Sequence, residues 1–309
     1  MNDPRAAHSV HYVCISKAAP DIGEHVFPIE KYAIVPRLLD EELGVGPERL
    51  HSWDEVYDED LERVHTPQYL ADLREARNSW ATLASELPVT PSVIEGFRAM
   101  VGGSIAAVRL ALAHGIGFHV GGGFHHAFAD HAEGFCYLHD MAIAVERSRA
   151  NEGIERVLFV DVDVHQGNGT AFIYAEDADT FTYSIHQENN YPIKQRGDLD
   201  RGVDDGIGDD AYLEALLLDI EIIDARFPAP DLVCYVAGVD PYRRDQLGGL
   251  GLTAEGLARR DEAVLERYAR QGPVVVFLAG GYAPSAEETA QLHLGTARAA
   301  EGACRPNDR

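Results

Sequence analysis

The sequence predicts an α/β fold: a single domain spanning residues 1–309, with one open, mostly parallel sheet and helices on both faces. Short β-branched segments alternate along the chain with segments of helical periodicity, which is typical of parallel strands joined by right-handed crossovers. The segments interpreted as strands are nearly unbroken apolar runs, as expected where helices cover both faces of a sheet. The chain shows no internal repeat, low-complexity tract or linker that would divide it.

The first part of the chain contains two predicted strands and several helices. VHYVCIS, which begins at Val10, is a β-branched run, and helical spacing covers DLERVHTPQYLADLREA, where Pro67 starts a second helix. A long helix over PSVIEGFRAMVGGSIAAVRLALAHG begins at Pro91 and ends at Gly115. The Gly102–Gly103 pair inside it indicates close packing against a neighbour. IGFHV is the next strand.

From GGGFHH onward the alternation is regular. The predicted strands are RVLFVDVDV, TFTYSIH, DLVCYVAG and PVVVFLAGG. The predicted helices are LHDMAIAVERSRANEG, GTAFIYAE, DDAYLEALLLDIEIIDARF, TAEGLARRDEAVLERYARQG and a last helix from 285 to about 301. A polar loop rich in Gly and Asp covers roughly residues 187–208.

Charge and composition narrow the classes of partner. The formal net charge of −25 argues against direct binding of nucleic acid, because its phosphate backbone would be repelled. A cationic substrate, such as a lysine-rich peptide or a polyamine, would be attracted, although acidity that only keeps the protein soluble explains the charge equally well.

The sequence also predicts a cytoplasmic protein without a membrane span. Its start lacks the basic and then apolar regions of a secretory signal, and no run approaches the ~18 apolar residues that a span needs. The four cysteines are far apart and form no CxxC pair. They are interpreted as reduced thiols, not as a disulfide framework or a thiolate zinc site.

Polar side chains follow four of the predicted strands, at the edge where ligands bind in open α/β sheets. The residues at these four strand ends are His125 and His126; Asp161, Asp163, His165 and Asn168; Asp240; and Tyr282.

The spacing after the second of these strands indicates a metal. Asp161, Asp163 and His165 lie at alternate positions and would share one face of a strand. Two adjacent carboxylates repel each other unless a positive charge lies beside them. Carboxylate oxygen and imidazole nitrogen together suit zinc, and a catalytic zinc keeps one position open for water. We expect Asp163 and His165 to bind one ion, Asp240 to be the third ligand, and Asp161 to orient a neighbouring histidine.

Simpler interpretations apply to each piece alone. A single aspartate at a strand end is more often a helix cap or a turn residue, and two histidines can be a hydrogen-bonded core pair. A Gly-Gly-Gly turn can bind phosphate, but GGGFHH lacks both the GxGxxG spacing and the lysine of a Walker loop. Compatible zinc-hydrolase chemistry at several separate strand ends favours the metal site.

Five motifs together resemble the zinc-dependent histone deacetylase family, which has the arginase–deacetylase fold. They are GGGFHHA, GFCYLHD, DVDVHQGNGT, AGVDPYRRDQLGGLGLT and AGGY. The resemblance extends from about Val10 to about His293. The form HQGNG and the short chain look most like class IV histone deacetylases and their bacterial relatives.

The resemblance implies a role for each matching residue. Zinc would be bound by Asp163, His165 and Asp240. The catalytic groups would be His126 as general base and acid, His125 as an electrostatic partner oriented by Asp161, and Tyr282 as the donor to the substrate carbonyl. The substrate tunnel would be lined by Gly134, Phe135 and Leu247. A potassium ion would lie near Asp161, Asp163, His165, Ser184 and Ile185.

Two positions depart from the pattern of the family. Asn168 stands where the better-known classes have an aspartate paired with the base, so we expect a lower pKa for His126 than in those classes. His139 replaces the asparagine of GFCYLND, which we expect to alter packing below the tunnel wall but not the chemistry.

The implied activity is removal of acyl groups, acetyl or longer, from lysine side chains of peptides or proteins by zinc-activated water. Resemblance to class IV favours longer fatty acyl groups. The alternative substrate is an acylated small amine, such as an acetylpolyamine. Arginase-like chemistry with two manganese ions would need carboxylates where Gly167 and Tyr242 stand. A silent metal-binding protein would be expected to lack a ligand, the base or the tyrosine.

Overall fold

The computed structural model describes residues 9–305, and within them eight strands form one sheet. The strands are β1 Ser9–Cys14, β2 Leu50–His51, β3 Gly115–Val120, β4 Val157–Asp161, β5 Thr180–Gln187, β6 Leu199–Val203, β7 Leu232–Val236 and β8 Val274–Phe277. Their order across the sheet is β2-β1-β3-β8-β7-β4-β5-β6, and every neighbouring pair is parallel. The predicted α/β class and parallel sheet are confirmed.

Ten α-helices connect the strands within this described range. They are α1 Lys31–Leu43, α2 Asp58–Glu62, α3 Pro67–Arg74, α4 Trp80–Leu83, α5 Pro91–His114, α6 Asp140–Glu152, α7 Asn168–Ile173, α8 Asp209–Arg226, α9 Ala254–Tyr268 and α10 Ala286–Ala303. The helix predicted to begin at Pro67 is α3, where the Thr66 hydroxyl accepts from the Tyr69 N–H at 3.4 Å. This bond satisfies one of the free donors of the first turn.

The four central strands, β3, β8, β7 and β4, end at one level. His119 pairs with Phe277, Phe277 with Val236, and Val236 with Asp161. These strands are buried along almost their whole length, because helices pack on both sides of the sheet. Their carboxyl ends therefore deliver the following turns to one shared region.

Helix α5 is the main support behind β3. It is apolar and long enough to span a membrane by length and composition alone, but 78% of its apolar window is buried inside the protein. The close packing predicted from Gly102–Gly103 is present, since a Cβ at Gly103 would lie 2.6 Å from Cε1 of His119. Such contacts place the helix directly against the sheet.

The structure differs from the sequence prediction in its less periodic elements. Helices α1 and α4 and the two-residue strand β2 were not predicted, and β6 lies inside the segment 187–208 that was predicted as a loop. Strand β6 is at the edge of the sheet and carries charged, partly exposed residues, so its sequence lacks the apolar run of the central strands. Strand β4 ends at Asp161, so Asp163 and His165 lie in the following turn and not on the strand itself.

We predict that Gly117→Ala destabilises the protein by about 1–3 kcal/mol or more, the cost of overpacking a close contact. A Cβ there would meet the carbonyl group of Ala107 and lie 2.9 Å from the Ala111 nitrogen, in the backbone of α5. Urea unfolding measures the change in free energy. Gly295→Ala is the matched control, because nothing lies within 4 Å of that Cβ and alanine favours a helix. Equal stability of the two variants would contradict the prediction.

Candidate active site

The turns after β4 and β7 bring three metal-ligating side chains together. Ligand atoms of Asp163, His165 and Asp240 all lie within 4.8 Å of one another. Their relative exposures are 1%, 7% and 0%. A buried set of two carboxylates and one imidazole is a donor set that suits zinc and leaves a position free.

Backbone groups hold the two carboxylates in place. The N–H of His165 donates to Asp163 Oδ1 at 3.0 Å, and the N–H of Gly280 donates to Asp163 Oδ2 at 2.9 Å. The N–H of Val164 donates to Asp240 Oδ1 at 2.8 Å, whereas Asp240 Oδ2 is buried without a hydrogen-bond partner. Because buried carboxylate oxygens are normally satisfied, this free oxygen beside His165 fits a cation ligand.

The electrostatics of the cluster also favour a cation. Burial opposes a charge on His165, but its hydrogen bond to Asp163 and the nearby Asp240 carboxylate outweigh that effect and raise the pKa of His165 to about 10. Burial and the charge of Asp163 raise the pKa of Asp240 to about 7. The cluster therefore holds a proton that offsets the repulsion between its two carboxylates. A metal ion would have to displace this proton in order to bind.

The turn after β3 places two histidines beside this cluster. His125 Nδ1 lies 2.7 Å from Asp161 Oδ2, as expected for a carboxylate that orients a neighbouring ring. Nε2 of His125 lies 3.1 Å from Nε2 of His126. Burial opposes protonation of His125, but the charges of Asp161 and Asp163 outweigh it and raise its pKa to about 9.

His126 has the opposite balance. Burial, followed by the charges of His125 and His165, lowers its pKa well below the usual value. Asn168 Oδ1 lies 2.7 Å from His126 Nδ1, and this bond acts in the raising direction. The low pKa of His126 thus comes first from burial, and the neutral character of Asn168, which the sequence drew attention to, is not its leading cause. That the pKa of His126 is lower than in the better-known classes of the family stays a prediction.

The histidines lie in a cleft of about 260 Å³. Gly134 and Phe135 line it with left-handed backbone angles of φ +48° and +64°. The ring of Phe135 stacks on Phe27 at 6.1 Å and meets the edge of Tyr282 at 6.0 Å. Leu247, half-buried, lines the same cleft. A Cβ at Gly134 would lie 2.7 Å from Cδ2 of His126, so this wall must come close to the ring.

Backbone hydrogen bonds hold Tyr282 in the turn after β8. Its N–H donates to Asp245 Oδ2 at 2.6 Å, and its carbonyl accepts from the N–H of Gln246 at 3.0 Å. Burial, and then the charges of Asp240 and Asp163, raise the pKa of its hydroxyl well above the usual value. The side chain is therefore a neutral hydrogen-bond donor that lines the cleft.

Of the residues implied for potassium, Ser184 and Ile185 lie on β5, the strand that pairs with β4. Ser184 is the partner of Asp161 in the β4–β5 register, and Ile185 follows in the same strand, fully buried. His139, the second departure from the family motif, begins α6: its Nδ1 accepts from the Ala142 N–H at 3.1 Å. Its Nε2 lies 2.9 Å from the Thr170 hydroxyl, which ties α6 to α7.

The sequence analysis missed several residues near the cleft. Lys31, from the unpredicted helix α1, is fully buried and donates to the Ala279 carbonyl at 2.7 Å. Burial lowers its pKa to about 8, and the charges of Asp240 and Asp163 oppose that shift. Phe27 lines the cleft just before this helix. Neither residue belongs to a motif or follows a strand, so spacing carried no signal for them.

Two further residues that the sequence analysis missed are Tyr191, which lines the cleft, and Glu133, which lies behind it. The ring of Tyr191 lies edge-on to His126 at 5.2 Å, and its hydroxyl donates to Glu133 Oε1 at 3.0 Å. Glu133 also accepts from Asn168 Nδ2 at 2.9 Å. Tyr191 lies in the segment 187–208 that was predicted as a loop, and nothing in the sequence indicated that it contacts Glu133.

Comparison with known proteins covers almost the whole chain. Residues 25–297 match the family model described as the histone deacetylase domain. An uncharacterized protein of Picosynechococcus sp. is 40% identical over 90% of this chain and 93% of its own length. Histone deacetylase 2 of Arabidopsis thaliana is 31% identical over 91% of this chain and 74% of its own.

One further relative agrees in sequence, and one solved structure agrees in fold. A histone deacetylase-like amidohydrolase of Pseudomonas aeruginosa is 34% identical over 76% of this chain and 66% of its own. The crystal structure of a histone deacetylase homologue from Aquifex aeolicus superposes with a TM-score of 0.80, covering 96% of this chain and 88% of that one at 23% identity. The extent of the family match and these identities show that the chain belongs to the histone deacetylase family.

Proposed function

We propose that the protein is a zinc-dependent amide hydrolase that removes acetyl or longer acyl groups from lysine side chains. One observation supports this most: the buried Asp163–His165–Asp240 set lies beside paired histidines in an aromatic cleft. The names of its relatives, a histone deacetylase and a histone deacetylase-like amidohydrolase, point to the same reaction.

The metal, when bound, would polarise the amide carbonyl and lower the pKa of an attacking water. Asp163, His165 and Asp240 are the residues that would hold it. Its identity as zinc is supported by the mixed oxygen and nitrogen donors and by the free buried oxygen of Asp240.

His126 is the group that accepts the proton of water and returns it to the leaving amine. Its low pKa keeps it unprotonated at neutral pH, as a base must be. His125, held by Asp161, supplies positive charge beside it. The Tyr282 hydroxyl donates to the carbonyl oxygen as negative charge develops there, in a site from which most water is excluded.

The shape of the cleft supports a lysine-type substrate. Phe135, Phe27 and Leu247 form apolar walls that can pack along the four-carbon stem of a lysine. An acylated small amine would use the same walls, and the net charge of −25 favours any cationic substrate. A potassium ion near Asp161 and Ser184, a class IV assignment with its longer acyl groups, and a cytoplasmic location remain part of the proposal.

Asp240→Ala is expected to abolish zinc binding, because it removes one of three ligands and the only one with a free buried oxygen among them. Metal analysis of the purified protein after dialysis against zinc measures the content per chain. A circular dichroism melt confirms that the variant is folded. Zinc at the wild-type level would show that the third ligand has been assigned wrongly.

Tyr282→Phe is expected to retain zinc and lower kcat by roughly 100-fold or more, the usual cost of removing one donor to a developing oxyanion. The phenyl ring preserves the packing against Phe135. Tyr268→Phe is the matched control, since its buried hydroxyl has no partner and lies on α9, away from the cleft. Wild-type turnover by the Tyr282 variant would contradict the assigned role.

A substrate panel separates the two proposed substrate classes. Lysine peptides that carry acyl chains of increasing length are compared with acetylpolyamines by their kcat/KM values. We expect acyl-lysine peptides to be hydrolysed faster, with dependence on added zinc after chelation. A higher kcat/KM for acetylpolyamines would favour the small-amine alternative, and no hydrolysis by the zinc-loaded protein would count against the enzyme itself.

A further inference from the structure

We propose that Glu133 is a positioning residue that determines, through Asn168, which ring nitrogen of His126 carries the proton. The inference rests on the proposed function in one respect, since it takes His126 to be the base. Which ring nitrogen of His126 carries the proton is a property of the folded protein, and it can be measured without substrate.

Three hydrogen bonds connect these residues in a row. His126 Nδ1 lies 2.7 Å from Asn168 Oδ1, and Asn168 Nδ2 donates to Glu133 Oε1 at 2.9 Å. The Tyr191 hydroxyl donates to the same carboxylate oxygen at 3.0 Å. Asn168 and His126 are 1% and 4% exposed, so little water competes for these bonds.

The carboxylate removes an ambiguity that an asparagine alone would leave. The two ends of an amide have nearly the same shape, and either could face the imidazole. A carboxylate can only accept, so the NH₂ end of Asn168 must face Glu133 and its oxygen must face His126. Nδ1 of His126 must then donate, which leaves the lone pair on Nε2.

This leaves the lone pair on the ring nitrogen that does not face Asn168, the only one that can then accept a proton. Nε2 of His126 faces Nε2 of His125 at 3.1 Å, whereas Nδ1 faces away toward Asn168. With the amide reversed, its oxygen would face the Glu133 carboxylate and its NH₂ would face Nδ1. The ring proton would then lie on Nε2, and that nitrogen could not accept a proton from water.

The Glu133 side chain is 24% exposed, and His131 Nε2 lies 3.7 Å from its other oxygen. It does not line the cleft, so it acts through Asn168 rather than on substrate. Its effect should therefore appear in kcat and in the tautomer of His126, and not in KM.

Two isosteric changes and their combination test the inference. E133Q replaces the carboxylate by an amide that can accept or donate, so the orientation of Asn168 is no longer imposed. N168D places two carboxylates against each other. In the double variant E133Q/N168D, the amide at position 133 can donate to the carboxylate at position 168, whose other oxygen accepts from Nδ1 of His126.

The readouts are the ¹⁵N NMR signals of the His126 ring, assigned by their absence in H126A, and kcat for a neutral acyl-lysine substrate. We expect the Nδ1–H form in the wild type, in metal-free and zinc-loaded protein. E133Q should show a mixture of tautomers and a kcat about fivefold lower, the difference between a charged and a neutral hydrogen bond. N168D should keep the Nδ1–H form, since a carboxylate can only accept from Nδ1, but lose more in kcat because its carboxylate faces that of Glu133. The double variant should keep the same form and exceed N168D in kcat.

D130N is the matched control, because it also exchanges a carboxylate for an amide nearby in the chain, whereas the Asp130 side chain contacts His131 and not Asn168. We expect it to leave the tautomer and kcat unchanged. The inference is overturned if E133Q keeps the wild-type tautomer and kcat, or if the losses of the two single variants simply multiply in the double variant. Failure of every variant and the wild type to hydrolyse any substrate would instead refute the proposed function, and the NMR result would still decide the role of Glu133.

Discussion

The burial of two carboxylates beside each other, at the carboxyl ends of β4 and β7, is the constraint on which the rest of the site depends. Asp163 and Asp240 are 1% and 0% exposed, so water cannot screen their repulsion. The protein offsets this repulsion with backbone N–H groups of the turns after β4 and β8 and with the buried cation of Lys31. Arg260, also fully buried, donates to the Val162 and Gly238 carbonyls and so joins the two turns from below.

This constraint also explains why small residues surround the ligands. A Cβ at Gly280 would lie 2.6 Å from Asp163 Oδ2, and one at Gly238 would lie 2.7 Å from Cγ of the same residue. A larger residue at either position would displace the carboxylate or its backbone donor. The Ala-Gly sequences after β7 and β8 are therefore part of the ligand geometry, and the ligands lie in a floor of the cleft that has no room for larger side chains.

The central strands and their polar ends could be predicted because their signals are local. Unbroken apolar runs mark β3, β4, β7 and β8, and parallel pairing then requires that their ends meet. Helix α1 and strand β6 could not be predicted from the sequence. Helix α1 begins without a side-chain cap and contains Pro36, and β6 is an edge strand in which charged residues interrupt the apolar ones. Lys31, Phe27 and Glu133 reach the site only through tertiary packing, so no spacing in the sequence reveals them. Asp163 and His165 were expected to share one face of a strand. They do lie together, but in the turn beyond the end of β4.

The two histidines differ in a way that follows from their partners rather than from their own chemistry. His125 contacts the Asp161 carboxylate directly, and its pKa is raised to about 9, so positive charge is most stable on this ring. His126 contacts an amide, and its pKa is well below the usual value, so this ring stays free to accept a proton. Placing an amide between His126 and the nearest carboxylate on that side, Glu133, preserves the direction of the hydrogen bond while keeping the charge at a distance. The amide of Asn168 thus fixes the tautomer of His126 while the pKa of this ring stays low. A carboxylate bound directly to the ring would fix the same tautomer but would also raise the pKa.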